Sequence, residues 1–324
     1  MSLKEQVLDA LLDGESRGDA ALSGEALAQR FGVTRSAVWK AVKQLRADGF
    51  AVEAGPNRGY VLAGCDKLSA AAISHMGDGG YTVELHDCLG STNDRAKELA
   101  AGGARKVCVI ADRQEGGKGR MGRSFFSPPG AGLYLTVILH PAIRGEDCAL
   151  LTTYAAVAVA EAIEELTGAK AAIKWVNDVY LGGKKICGIL TEASVDFETG
   201  SFAYAVVGIG INVRKTALPE ELRPIVTDLE TETGVIVDRN RLASALLRRF
   251  ADVDAVLQEG TYLASYSERC FVLGQDVLVT RGTEQFSARA VAINDRGELI
   301  VDDGSGTLRA LNSGEVSVKV ATGG

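Results

Sequence analysis

Two apolar runs, Lys106 to Ala111 and Gly132 to Leu139, are joined through a basic, glycine-rich stretch, Gly116-Gly117-Lys118-Gly119-Arg120-Met121-Gly122-Arg123. The runs predict two strands, the first of which delivers the loop at its end. A chain built this way places the loop at a strand end, where backbone can close around a ligand. Glycines expose N–H groups there, and Lys118, Arg120 and Arg123 add charge for phosphate or carboxylate oxygens. The stretch has neither the G-x-x-x-x-G-K-[ST] order of a Walker loop nor a G-x-G-x-x-G opening a helix, so kinase and Rossmann readings lose ground. Taken alone, it also fits a flexible surface loop with solvated charges.

The surrounding pattern alternates strand and helix. Tyr81 to Leu85 alternates as a strand, Ser91-Thr92-Asn93-Asp94 supplies the N-cap of a helix through Ala100, and Leu150 to Leu166 forms a long alanine-rich helix. Ala172 to Trp175 predicts a strand ending in Asn177-Asp178. Val179 to Leu181 and Lys185 to Glu192 flank Gly182-Gly183 as a hairpin, which puts Lys185 near a strand start, and Ala203 to Asn212 adds a further strand. A mixed α/β sheet follows. Asp276 to Val279, Phe286 to Ile293, Leu299 to Val301 and Leu308 to Leu311 are short strands separated by Gly, Asn and Asp turns, which fits a small SH3-like barrel.

Before Gly64 the pattern is different. Leu3, Val7, Leu8, Leu11 and Leu12 make a helical stripe that ends at Asp13-Gly14. Ser23 to Phe31 predicts a capped short helix, Gly32-Val33-Thr34 a turn, and Thr34 the N-cap of a second helix to about Asp48, the spacing of a helix-turn-helix. Val38, Val42 and Leu45 point one way, leaving Arg35, Ser36, Trp39, Lys40 and Lys43 free to meet a DNA groove. Phe50 to Val52 and Tyr60 to Leu62 bracket Gly55-Pro56-Asn57-Arg58-Gly59 as a winged hairpin with Arg58 at its tip. A packing or dimerisation module with solvated basic residues is the alternative. Gly64 to Gly80 reads as a boundary with a short helix at Ser69 to Met76.

At 324 residues the chain has room for two or three domains: 1–64, 65–270 and 271–324. Its net charge of −7 argues against a surface basic throughout, yet Arg30, Arg35, Lys40, Lys43, Arg46 and Arg58 face only Asp48 and Glu53 between Arg30 and Tyr60. Six cysteines without a C-x-x-C pair and three dispersed histidines support neither a zinc site nor a disulfide framework. No stretch approaches the roughly 18 apolar residues of a membrane span, and the N-terminus is unlike a signal peptide, so a cytoplasmic protein is expected.

Taken together, Ser91-Thr92-Asn93, Gln114 with Gly117 to Arg123, Phe126-Ser127-Pro128, Lys174-Trp175-Val176-Asn177-Asp178, Lys185 to Leu190 and Gly208-Ile209-Gly210-Ile211-Asn212 resemble the bifunctional biotin protein ligase and biotin operon repressor family. The resemblance covers nearly the whole chain. Against the family pattern GRGRRGRxW, Lys118 and Met121 replace arginines and Phe125 the tryptophan, while Val176 replaces the proline of KWPND.

The resemblance implies a fold of three parts: an N-terminal winged helix-turn-helix, a central mixed-sheet α/β catalytic domain and a C-terminal SH3-like barrel. It implies that biotin and ATP, with Mg²⁺, form biotinoyl-5'-AMP, and that biotin passes to a lysine of a biotin carboxyl carrier protein. Lys185 and Arg120 would carry the catalysis. Biotin would be held by Ser91, Thr92, Asn93, Gln114, Gly117, Lys118, Gly119, Arg120, Lys185 and Gly188. The nucleotide would meet Arg120, Arg123, Phe125, Lys174, Asn177, Asp178, Asn212 and Lys319, with Asn177 and Asn212 at the adenine and Glu315 on the ATP side. Thr34, Arg35, Ser36, Trp39, Lys40, Lys43 and Arg58 would face operator DNA, in a homodimer promoted by ligand. A ligand-sensing regulator without transfer activity, or a ligase of the same fold for another acid such as lipoate, are the rival readings.

Overall fold

The computed structural model describes residues 2–17, 21–47, 50–55, 59–65, 67–144, 147–195 and 202–318. Three helices, α1 (Leu3–Arg17), α2 (Gly24–Phe31) and α3 (Arg35–Ala47), precede the antiparallel hairpin of β1 (Phe50–Gly55) and β2 (Gly59–Cys65). The α1 helix runs past Asp13-Gly14, where the sequence pattern had ended it; one internal glycine costs only about 1 kcal/mol and need not stop a helix. Ser23 caps α2 by accepting from the Ala26 N–H at 3.0 Å, and Gly32 at φ 65° turns the chain out of it. Val7, Leu11, Leu27, Val38, Val42, Leu45, Val52 and Leu62 close the core of this unit. Arg58 and Asp48 lie outside the described residues.

The next helix, α4 (Ala70–Met76), joins two cores. Its Ala72 packs into the N-terminal core and its neighbour Ile73 into the central one. The stretch expected as a boundary is therefore wedged between the two units.

The central sheet contains β3 (Thr82–Leu89), β4 (Val107–Gln114), β5 (Gly132–Leu139), β6 (Ala172–Lys174), β7 (Asp178–Leu181), β8 (Lys184–Val195) and β9 (Phe202–Asn212) in the order β3-β4-β5-β9-β8-β7-β6. Only β3 and β4 pair in parallel, and α5 (Thr92–Ala101) is the crossover between them. Alternation along the strands sorts the side chains. Val109, Ile138 and Val206 meet Ala96 and Ala100 of α5 on one face. Cys108, Ile110, Val137 and Val207 join the larger core on the other, where α6 (Cys148–Thr167) lies almost wholly buried.

Four helices between the sheet and the C-terminal strands were not read from the sequence: α7 (Leu229–Thr233), α8 (Arg239–Phe250), α9 (Val253–Glu259) and α10 (Tyr262–Arg269). Asp238 accepts from the Asn240 and Arg241 N–H groups at the start of α8, and Leu242, Leu246 and Phe250 carry its buried stripe. Both signals were present in the sequence.

Five antiparallel strands close the chain: β10 (Asp276–Arg281), β11 (Glu284–Ile293), β12 (Leu299–Asp302), β13 (Leu308–Leu311) and β14 (Glu315–Val318), in the order β13-β12-β11-β10-β14. This is the small β unit expected; among the described residues no ladder joins β13 to β14. Val277, Val279, Leu299 and Val316 merge with the central core. The Trp175 indole N–H donates to the Gly297 carbonyl at 3.1 Å, so this buried side chain is core and joint at once. Among the described residues no helix is long and apolar enough to cross a membrane.

Candidate active site

The glycine-rich stretch leaves the end of β4 and returns on itself. Gly119 N–H donates to Arg123 O at 2.7 Å and Phe125 N–H to Gly117 O at 2.8 Å, with a 3-10 turn over Arg120–Gly122 at the tip. Met121 adopts φ 56° there and is exposed. The three cations separate. Lys118 Nζ turns to the Asp94 carboxylate at 2.7 Å, Arg120 reaches Asn177 Oδ1 at 2.8 Å and Gly314 O at 3.1 Å, and Arg123 meets Glu315 at 2.6 Å. Burial pushes the Arg120 guanidinium pKa below its ordinary value against the pull of Asp178 and Glu315. Burial also opposes ionisation of Asp94, but hydrogen bonds from Lys118 and Lys97 outweigh it and its pKa falls.

A cavity opens between this loop, the start of α5 and the glycine face of β8 and β9. Its walls include Ser91, Thr92, Asn93, Gln114, Lys118, Gly119, Arg120, Phe125, Asn177, Lys185, Gly188, Gly208 and Gly210. Glycine is required where neighbours come closest. A Cβ on Gly210 would stand 2.6 Å from the Phe125 ring, and one on Gly208 would stand 2.0 Å from Asn93 Oδ1. The Phe125 ring lies against this face, edge-on to Tyr134 with centroids 6.4 Å apart. Ser91 begins α5 without spending its hydroxyl on a cap, while Thr92 N–H donates to Gln114 Oε1 at 2.8 Å.

A second cavity shares Gly119, Arg120, Phe125, Asn177 and Lys185 with the first and continues over Arg123, Lys174, Asp178, Gly314 and Glu315. Lys185 stands on the common wall. The register of β7 against β8 slips between Val179 and Tyr180, leaving Ile186 as an extra residue beside it, and such a bulge re-aims the neighbouring side chain. Its Nζ lies 2.6 Å from Asp178 Oδ1, a close ion pair at the junction of the two cavities.

Most of the residues singled out from the sequence meet at these two cavities. Four do not. Gly117 lies behind the wall, where a Cβ would strike Phe125 O at 2.4 Å and Ser127 Oγ at 2.8 Å. Asn212 lies beyond the lining, its amide donating to Thr227 O at 3.1 Å. The motif's alternation put Gly208, Gly210 and Asn212 on one face, but the strand outruns the cavity before Asn212. Lys319 is outside the described residues. Asn93 lines the cavity, yet its amide is held by Leu190 O, Glu192 and Thr136, all of them protein groups. Asn177 is similarly engaged by Arg120 and Ile189 O. Thr136 and Glu192 were missed; an aliphatic hydroxyl in a run otherwise made of Gly, Leu, Tyr, Val and Ile was the available signal for Thr136.

Arg35, Ser36, Trp39, Lys40 and Lys43 of α3 form one exposed face opposite Val38, Ala41, Val42 and Leu45, and Thr34, also exposed, precedes the helix. Trp39 is 53% exposed, with Lys43 Nζ 5.5 Å from the centre of its ring. A large aromatic held out beside cations suits a groove with apolar base edges and phosphates.

Residues 86–212 match the biotin/lipoate A/B protein ligase family, residues 15–61 an HTH domain and residues 272–319 the biotin protein ligase C terminal domain. The chain is similar to a biotin protein ligase from Aquifex aeolicus in complex with biotin and ATP, with a TM-score of 0.63 and 28% identity over 73% of this chain and 98% of that one. The class is thus a biotin-ligase catalytic fold carrying a helix-turn-helix. The bifunctional ligase/repressor BirA of Bacillus subtilis (strain 168) is 34% identical over 306 residues, 89% of this chain and 91% of that protein. That of Escherichia coli (strain K12) is 32% identical over 308 residues, 92% and 93% of the two chains. The chain belongs to this family of bifunctional ligase/repressors.

Proposed function

We propose that the chain is an ATP-dependent biotin ligase and biotin-responsive repressor. The observation that carries the ligase reading is the wall shared by the two cavities, where Lys185 and Arg120 stand between a pocket walled by Ser91, Thr92, Gln114 and Gly188 and one walled by Arg123, Lys174, Asp178 and Glu315. Biotin occupies the first cavity beside Ser91, Thr92, Gln114 and Gly188. ATP occupies the second, against Arg123, Lys174 and Asp178, with Phe125 at the junction.

A carboxylate does not acylate an amine in water, so activation comes first. A biotin carboxylate oxygen attacks the α-phosphorus of ATP, the bond to pyrophosphate breaks, and biotinoyl-5'-AMP forms. Two anions must approach for this, and preorganised cations in a partly dry site lower the barrier most as charge develops. Lys185 supplies that charge at the junction, and Arg120 retains the adenylate. An acceptor lysine then attacks the acyl carbon, AMP leaves with the bonding electrons, and the amine loses its proton to solvent. Asp178, a carboxylate on the wall of the second cavity, is the residue that would hold Mg²⁺ beside ATP. The ion would offset the negative charge of the phosphates.

The acceptor is a biotin carboxyl carrier domain, as in acetyl-CoA carboxylase. With biotinoyl-5'-AMP bound, the chain pairs as a homodimer and presents two α3 helices to operator DNA, so ligand raises DNA affinity by linkage. The decisive assay incubates the protein with labelled biotin, Mg-ATP and an apo carrier domain; label must appear on the carrier lysine. Gel shifts across protein concentrations test the second activity, and binding indifferent to ligand would reject the co-repressor mechanism alone.

A further inference from the structure

Among the described residues before Ala70, Trp39 at 53% and Val61 at 41% are the large apolar side chains left exposed. Tryptophan is highly buried on average, so an indole held in solvent stands out where a valine does not. Helical periodicity sets its place. Val38, Ala41, Val42 and Leu45 turn inward, and Ser36, Trp39, Lys40 and Lys43 fall on the opposite stripe of α3. Lys43, one turn on, holds its Nζ 5.5 Å from the centre of the Trp39 ring, a cation–π contact that limits how the indole swings.

The charges around the ring select what can cover it. Helix α3 carries Arg35, Lys40, Lys43 and Arg46 and no acidic residue, in a chain whose net charge is −7. Arg46 is engaged within the unit, its Nε donating to Val52 O at 2.7 Å. Arg35 meets Glu25 at 3.5 Å with both side chains largely exposed, a pair that a phosphate can replace. An apolar ring set among cations fits a polyanion that shows an apolar group between its charges. Duplex DNA does so in its major groove, where the thymine 5-methyl is the apolar group among the base edges; the minor groove offers polar edges alone. In helix-turn-helix docking the first turns of the second helix reach base edges while flanking residues hold phosphates, and Trp39 stands in the second turn of α3.

We infer that Trp39 is a specificity-determining residue that packs its indole on the 5-methyl group of thymine in the major groove, with Lys40 and Lys43 on the flanking phosphates. This rests on the reading that α3 faces operator DNA. The proposed pairing of two chains sets the thymines symmetrically, one contact in each half-site.

The test uses the full chain with biotin and Mg-ATP, and duplexes that it enriches from a random-sequence library. Thymines of the enriched site are then replaced one at a time by deoxyuridine, which removes the methyl and leaves base pairing intact. At one position in each half-site the replacement should weaken binding about three- to tenfold, what burial of a methyl group is worth. Trp39→Ala should weaken binding to the thymine duplex and bring thymine and deoxyuridine at that position to within about 1.5-fold of each other. Trp39→Phe should keep part of the preference. The slope of affinity against salt should be unmoved in both, since no cation is lost, whereas Lys43→Ala should lower that slope by about one. An enriched site free of thymine, or one in which deoxyuridine binds as thymine does at every position, would overturn the inference, and neither result needs a variant. So would Trp39→Ala weakening the two duplexes equally. Tighter binding to the single strand than to the duplex would make the indole a stacking platform and overturn it as well. Protein that enriches no duplex, yet still biotinylates an apo carrier domain, would overturn the DNA reading itself and the thymine contact with it.

Discussion

Thr136, beneath the first cavity, is fully buried and passes its proton to a neutral neighbour, whereas Arg123, at the rim of the second, keeps 67% of its side chain exposed and meets the Glu315 carboxylate. The floor is a network of neutral groups anchored on one charge, and removing any member leaves a buried partner unmatched. The rim is a set of ion pairs that water and salt can replace. On the proposed reading the difference separates selectivity from turnover: the floor would hold a ligand by donor and acceptor pattern, while the junction would handle charge. Perturbations should therefore differ in kind as well as in size.

The largest effect belongs to the junction. Lys185 serves both cavities, so Lys185→Ala should lower the rate of biotin-dependent pyrophosphate release on the order of a hundredfold or more, with the fold retained. Unchanged release would remove Lys185 from the chemistry. If biotin affinity alone fell, the comparison would sharpen differently, making Lys185 part of the neutral side.

Next comes the floor. Gly208→Ala would place a Cβ 2.0 Å from Asn93 Oδ1, and Asn93 has little freedom to yield because Leu190, Glu192 and Thr136 all hold it. Overpacking of this kind costs about 1–3 kcal/mol, readable by urea unfolding, and biotin affinity should fall with it. A variant as stable as the parent, with unchanged biotin affinity, would mean that the floor is softer than the rim and would invert the comparison.

The same contrast explains what could be read from the sequence. Rim and junction groups were legible because glycines and cations cluster locally: Gly117 to Arg123 and Lys174 to Lys185 announce themselves within a few residues. Of the floor, Thr92, Asn93 and Gln114 were named through their motifs, but Thr136 and Glu192 join them across as many as 99 residues, and that closeness exists only once β5 and β9 pair and α5 lies across them. Asn212 lies beyond the two linings for a related reason, since periodicity fixes a side chain's face but not how far along a strand a cavity reaches. Helices α7 to α10 carried ordinary signals, such as the Asp238 cap. They went unread because no motif drew attention to residues 229–269.

The smallest effect belongs to the pair that ties the glycine-rich loop to the C-terminal strands. The hydrogen bond from Arg123 is the largest influence on the Glu315 carboxyl, and it holds the pKa below the ordinary value despite partial burial. A carboxyl with a depressed folded pKa contributes stability that is present above its unfolded value, near 4.3, and is lost as pH falls through the folded value. Glu315→Gln should therefore cost less than about 1 kcal/mol at pH 7, because Arg123 is largely exposed and screened. The difference from the parent should stay level from pH 8 to about pH 5 and shrink below the unfolded pKa. It should also fade in about 1 M salt, where the Debye length is only about 3 Å. Urea unfolding of both proteins at pH 7 and pH 3, at low and high salt, measures all three dependences. A cost above about 2 kcal/mol that persists in salt would mean that the rim is as tightly committed as the floor, and the contrast between them would not hold.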